Sequence, residues 1–151
     1  LRAQPLLMHL EGDGQPVRGT WIVHAGVHPR WNDLGAIAAA VNPLPHDDAW
    51  LVRDEVAFAT RVRCCAADGK MVRFPGPPQN CPHGTRPWDE HRSDPERIVH
   101  GHWAQRGFYR TERTIGLDSA CVYGGFLTAW CYEEDRIVQV RSRTSIFGSP
   151  I

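Results

Sequence analysis

Apolar positions in this chain fall into short runs separated by turn residues, and the spacing inside each run predicts an element. Residues 1 to 19 read as a helix tail followed by a polar, glycine-rich turn, Glu11-Gly12-Asp13-Gly14. Thr20 to His24 reads as a short buried strand. Asn32 or Asp33 is placed to cap an alanine-rich helix, Leu34 to Val41, stopped by Pro43. Asp47 or Asp48 precedes a second helix, with Leu51, Val52, Val56 and Phe58 at roughly helical spacing. Arg61 to Cys65 and Lys70 to Phe74 form the two arms of a hairpin around Ala67-Asp68-Gly69. Pro75 to Arg97 breaks the pattern: Pro75, Pro77, Pro78, Pro82, Pro87 and Pro95 interrupt it, which predicts a long loop acting as a lid or binding loop.

Regular structure is expected to resume at Ile98, again at Arg113 to Leu117, and then as a hairpin. Its arms are Phe126 to Tyr132 and Arg136 to Arg141, joined by Glu133-Glu134-Asp135. No internal repeat is visible. Strand, helices, hairpin and then several strands give an α/β chain of the α+β type, with a mixed or antiparallel sheet rather than a doubly wound one.

A length of 151 residues suits a single domain with a real core. Formal net charge is zero, so no global field favours duplex nucleic acid or a membrane surface. No apolar run approaches the roughly 18 residues of a membrane span, and no signal peptide is expected. Five cysteines, odd in number and irregularly spaced, argue against a disulfide framework and suggest a reducing cytoplasm. The opening Leu1-Arg2-Ala3-Gln4-Pro5 suggests a piece of a longer protein. Lys70 is the single lysine among seventeen basic residues; arginine forks suit phosphate, and codon bias gives the same ratio.

Two histidine motifs carry the candidate chemistry. In Trp21-Ile22-Val23-His24-Ala25-Gly26-Val27-His28-Pro29 and Arg97-Ile98-Val99-His100-Gly101-His102-Trp103, an apolar β-prone run ends in histidine beside glycine. Such strand tips aim imidazoles at a shared cleft, where neutral rings suit zinc, iron, manganese or cobalt. Gly26 and Gly101 would let backbone approach a phosphate closely. His100, beside His102, is expected to face the opposite side of the strand. A structural zinc module from Cys64, Cys65, Cys81 and His83 is a separate reading, although adjacent cysteines suit tetrahedral ligation poorly.

His24-Ala25-Gly26-Val27-His28-Pro29 resembles the HAGxxP block of metallophosphoesterases of the phosphoprotein-phosphatase type. Gly101-His102-Trp103-Ala104 resembles the GHWA block of their symmetrical bis(5′-nucleosyl)-tetraphosphatase branch. Ala59 to Cys65 with Asp68-Gly69-Lys70, Gly116 to Ala129, and Leu1 to Leu7 resemble further segments of that branch, in the same order. The resemblance implies a four-layer α/β/β/α sandwich with mixed sheets and two divalent ions (Mn, Co, Fe or Zn) between them. It places His24 and His102 on one ion, makes Arg61 or Arg63 the phosphate ligand, sets Tyr123 beside the cleft, and makes Asp118 either an acceptor orienting an imidazole or a turn-former. Arg61 and Arg63, two apart in an expected strand, would face one side and pair on phosphate.

The family's GDxHG, GDxxxRG and GNHD motifs do not occur in the sequence. Residues 1–151 are therefore expected to be the C-terminal half of the sandwich, lacking the N-terminal half as partner, holding at most one partial metal site, and inactive and marginally stable alone. The whole is expected to hydrolyse dinucleoside tetraphosphates to nucleoside diphosphates through metal-activated water. Alternatives are a serine/threonine phosphoprotein phosphatase-like hydrolase and a degenerate, non-catalytic binding domain.

Overall fold

The computed structural model describes residues 4–10, 19–45 and 47–144. Its centre is a five-stranded mixed sheet built from β1 (Leu7–Leu10), β2 (Thr20–Val23), β6 (Arg97–His100), β8 (Thr114–Gly116) and β7 (Tyr109–Arg110), in that spatial order. β2, β6 and β8 run parallel, while β1 and β7 lie antiparallel at the two edges. Residues 7 to 10 thus form an edge strand instead of the expected helix tail; Leu7 is buried, Met8 and His9 are exposed, and Leu10 is half-buried. The Gly-rich turn at 11–14 lies outside the described residues.

The crossover from β2 to β6 carries three helices and a small sheet. In α1 (Leu34–Val41), Asp33 Oδ1 accepts the Ala36 N–H at 2.8 Å, a cap contributing about 1 kcal/mol. Leu34, Ala38 and Val41 share its buried face, at the spacing helical geometry requires. Asn42, just past its end, ties the helix to the sheet edge: its amide oxygen accepts Leu6 and Leu7 N–H, and its amide nitrogen donates to Leu7 O. The second predicted helix is two, α2 (Asp48–Leu51) and α3 (Asp54–Arg61), separated where Arg53 turns extended at ψ 141°. α3 buries Val56, Phe58 and Ala59.

The hairpin after α3 is shorter than predicted. β3 (Cys64–Cys65) pairs with β4 (Met71–Val72), and Arg61 belongs to the helix. The proline-rich segment is not an open loop. Its β5 (Arg86–Pro87) adds a third strand against β3, Cys81 is disulfide-bonded to Cys64, and Trp88 is fully buried in the core. Proline removes ladder donors, but an edge strand needs only half of them, and a large ring dropped into the core holds the rest. The expectation of no disulfide is corrected by the Cys64–Cys81 bridge, which also removes two ligands from the zinc reading; Cys65 remains a buried free thiol. Such a bridge persists best in oxidising surroundings, so the cysteine count does not decide the compartment. Among the described residues no helix is long and apolar enough to cross a membrane.

Downstream, β9 (Asp118–Ser119), β10 (Phe126–Cys131) and β11 (Arg136–Arg141) make an antiparallel ribbon, with the hairpin almost where the alternation predicts it. Its register sets Leu127 opposite Val140 and Ala129 opposite Val138, so these four share one face. That face is bare: Leu127 is 63% and Val140 62% exposed.

Candidate functional site

Three parallel strands end at the same level of the central sheet, and an open sheet offers its ligand site at that end. His24 follows β2 directly, His100 closes β6 with Gly101 and His102 after it, and Leu117-Asp118 follow β8. Backbone bonds carry the ladder past the strand ends. Gly101 N–H donates to His24 O at 2.9 Å, and Leu117 N–H donates to His100 O at 2.8 Å. Positions remote in sequence are thereby locked in register.

The two imidazoles meet. His24 Nε2 lies 3.2 Å from His102 Nδ1, with ring centroids 5.0 Å apart. His24 is exposed and His102 half-buried. Burial pushes the His102 pKa down to about 4, with Arg63 and His24 adding to the fall; the Arg61 backbone and Asp118 oppose it. The ring is neutral, as ligation requires. Its Nε2 is buried with no partner in hydrogen-bond geometry, the Arg61 backbone being the group that acts on the ring from the end of α3. His102 also sits at φ 66°, left-handed backbone that is uncommon outside glycine. Left-handed backbone and a buried nitrogen without a hydrogen-bond partner at one residue make His102 a candidate functional position, and no periodicity in the sequence signals either.

His100 points away from His102, but not by the strand period, which would put positions two apart on one side: β6 ends at His100 and the chain turns left-handed at His102. It is buried, close to Gly101 O through Nδ1 (3.0 Å) and to Tyr109 Oη through Nε2 (2.7 Å). Burial lowers its pKa to about 4, so Nδ1–H donates and Nε2 accepts. Tyr109 in turn lies under the Arg106 guanidinium, which forms a two-pronged pair with Asp89 at 2.6 and 3.1 Å. This network holds the peptide from which His102 projects.

A cavity of about 510 Å³ opens at the histidines, lined also by Arg63, Trp103, Asp118 and Tyr123. Five of the six residues singled out in the sequence therefore converge. Arg63 Nη2 donates to His102 O at 3.2 Å and Nη1 to Phe74 O at 3.4 Å. A guanidinium has five N–H donors, so three remain for a ligand. Burial lowers the Arg63 pKa from its ordinary value while Asp118 and Tyr123 oppose the shift; the group stays cationic. Asp118 Oδ1 accepts Ala120 N–H at 3.2 Å, which supports the turn-forming role, yet it also faces the cavity and acts on His102. Tyr123 closes a short 3₁₀ turn, Cys121–Tyr123.

Arg61 is the exception. It ends α3, exposed, and lines a different cavity, which Arg63 also borders. The expected pairing of Arg61 and Arg63 on one strand face fails because a helix, not a strand, runs to Arg61. Gly26 also has another reason to be glycine. A Cβ there would stand 2.5 Å from the Trp88 indole, so core packing, not phosphate approach, excludes a side chain. At Gly101 a Cβ would meet only His24 O, at 3.7 Å.

Two imidazole nitrogens bound to one cation at about 2.0–2.1 Å stand roughly 3.2–3.4 Å apart at near-tetrahedral angles. The observed separation of 3.2 Å fits that arrangement. The donor set is short, however: no cluster of three or more His, Cys, Asp or Glu side chains suited to a metal occurs among the described residues. The site fits a cation as two of its ligands.

No protein-family model matches the chain. Curated relatives do. A protein named symmetrical bis(5′-nucleosyl)-tetraphosphatase from Aromatoleum aromaticum is 34% identical over 94% of this chain and 60% of its own length. Another of the same name from Cellvibrio japonicus is 30% identical over 92% of this chain and 61% of its own. A crystal structure of a candidate diadenosine tetraphosphatase superposes with a TM-score of 0.57 and 25% identity, covering 83% of this chain and 48% of that one. The chain spans about 60% of the length of the curated relatives it matches. In sequence the chain is similar, along nearly all of its own length, to proteins named symmetrical bis(5′-nucleosyl)-tetraphosphatase, and in fold to a candidate diadenosine tetraphosphatase.

Proposed function

We propose that this chain carries part of the active site of a metal-dependent hydrolase that cleaves dinucleoside tetraphosphates to nucleoside diphosphates. The observation that carries the reading is the meeting of His24 and His102 at 3.2 Å, in a cavity shared with Arg63, Asp118 and Tyr123, in a chain related to proteins of that name. His24 and His102 would hold one divalent cation, manganese, cobalt, iron or zinc. When bound, such ions supply Lewis-acid stabilisation and an activated water to phosphoryl chemistry.

The chain's own residues do the rest. Arg63 offers its three remaining N–H donors to phosphate oxygens and meets the charge that grows on them in the transition state. Its two bonds to backbone carbonyls fix the guanidinium before substrate arrives, so little reorganisation is needed. Asp118 places its carboxyl group in the same cavity, where it favours the cationic fork of Arg63 and offsets part of the fall in the His102 pKa. Trp103, buried and donating its indole N–H to Gly76 O at 2.8 Å, forms a rigid wall.

Two ligands do not hold a two-metal centre. In this reading residues 1–151 form a partial domain, inactive alone, whose remaining donors and covering half lie in residues outside the sequence described. The test is hydrolysis of diadenosine tetraphosphate by residues 1–151 and by the longest natural form of the protein, with and without added Mn²⁺, beside a phosphopeptide. Metal-dependent release of ADP by the long form, and none by residues 1–151, supports the reading. Cleavage of the phosphopeptide alone would reassign the chemistry to a protein phosphatase, and no turnover by the long form would favour a binding domain.

A further inference from the structure

A second cavity, of about 460 Å³, borders the first and shares Arg63 and His102 with it. Arg61 and Arg73 complete a set of three guanidinium groups around it, with Met71, Val72 and Phe74 as the other lining residues and no carboxylate on the wall. Arg73, directly after β4, and Arg61, at the end of α3, are both exposed. Among the described residues neither side chain has an ion pair or a hydrogen bond. Elsewhere Arg92, Arg106, Arg110 and Arg136 are paired with Asp94, Asp89, Asp135 and Glu134, while among the described residues exposed Arg30 and Arg113 also have no ion pair, so it is the clustering of three guanidinium groups around one hollow that sets this place apart. Three like charges around one hollow repel each other unless an anion occupies it, and planar forks are the group of choice for phosphate oxygens. The volume lies within the range of small-molecule sites, about 300–1,000 Å³.

We propose that this second cavity is a polyphosphate subsite in which Arg73, with Arg61 and Arg63, grips phosphate groups beyond those held at the histidines. Arg63 is the hinge of the arrangement, because it borders both cavities and a single phosphate chain crossing it reaches both. The ligand class is a chain of several phosphates, since two adjoining cavities that share Arg63 and His102 hold more than one phosphate group would fill. That the chain belongs to a dinucleoside tetraphosphate rests on the function proposed above; the subsite itself does not.

Calorimetric titration of residues 1–151 with inorganic tripolyphosphate, pyrophosphate and orthophosphate tests it without turnover. Affinity is expected to rise along that series from orthophosphate upward. Arg73→Gln is expected to weaken tripolyphosphate binding about tenfold, the scale of one charge-assisted hydrogen bond at a partly solvated site. Arg73→Lys should restore part of the loss, and Arg143→Gln, an exposed arginine on neither cavity, should change nothing. ATP in place of tripolyphosphate shows whether a nucleoside adds to the grip. Unchanged binding in Arg73→Gln with an unchanged melting temperature, equal affinity for orthophosphate and tripolyphosphate, or no binding by the wild-type chain would each overturn the subsite. Arg73-dependent binding in a protein whose long form hydrolyses nothing would leave the subsite standing and remove the enzymatic reading instead.

Discussion

The histidine end of the central sheet and the β9–β11 ribbon are both made of short strands, yet they are finished to different degrees. At the histidine end, Trp21, Val23, Ile98 and Ile115 are buried, Trp88 fills the space left by Gly26, and the strand ends are bonded to one another. On the ribbon, hydrogen bonding is as regular, but Leu127, Ala129, Val138 and Val140 face solvent together. A backbone ladder is thus no measure of completeness. Burial of roughly 25 cal/mol per Å² of apolar surface is what distinguishes a finished layer from an unfinished one, and the ribbon lacks it on one side.

The contrast can be broken most forcefully at Trp88. Trp88→Ala removes a fully buried ring and is expected to cost about 3–5 kcal/mol, read as a fall in the urea midpoint; a loss under 1 kcal/mol would return the proline-rich segment to the status of an open loop. Next is the bridge. Cys64→Ala opens a disulfide spanning 17 positions and is expected to cost about 3 kcal/mol by the loop-entropy relation, with reductant giving the wild-type chain a comparable loss. A wild-type melting curve insensitive to reductant would show the bridge absent in solution.

The site itself should respond more locally. His24→Ala and His102→Ala are each expected to weaken Co²⁺ binding by at least about tenfold, the lower bound for disturbing a ligand's surroundings, followed by the visible absorption of the ion. Equal affinity in either variant would remove that residue from the ligand set. The smallest effect belongs to the ribbon: Leu127→Thr and Val140→Thr should each change stability by less than about 0.5 kcal/mol, as exposed substitutions do. A larger loss in residues 1–151 would mean that the apolar face is already covered there, by self-association for example, and ultracentrifugation of the wild type would show it.

Legibility in the sequence follows the range of the forces involved. The β10–β11 hairpin and α1 were readable because alternation and capping act over a few residues, and Asp33 and the acidic turn at 133–135 sit where those rules put them. The proline-rich segment was misread because its order comes from one distant contact, Trp88 against Gly26, and from a bridge to Cys64. Arg61 was misplaced because α3 continues through Thr60, whose hydroxyl satisfies Val56 O at 2.6 Å within the helix. Of the site, the two histidines were visible as motifs, but their meeting depends on parallel pairing of β2 with β6 across a long crossover. Arg73 carried no local signal, since an arginine after a two-residue strand reads as ordinary surface.

His102 has an evolutionary consequence. Its left-handed backbone and its unpartnered nitrogen both count against the fold, and both would be relieved by glycine. If His102 is the metal ligand proposed above, stability and chemistry pull this one position in opposite directions. On the function proposed above, a glycine at position 102 in a related sequence would mark a descendant that has kept the architecture and given up the metal ligand.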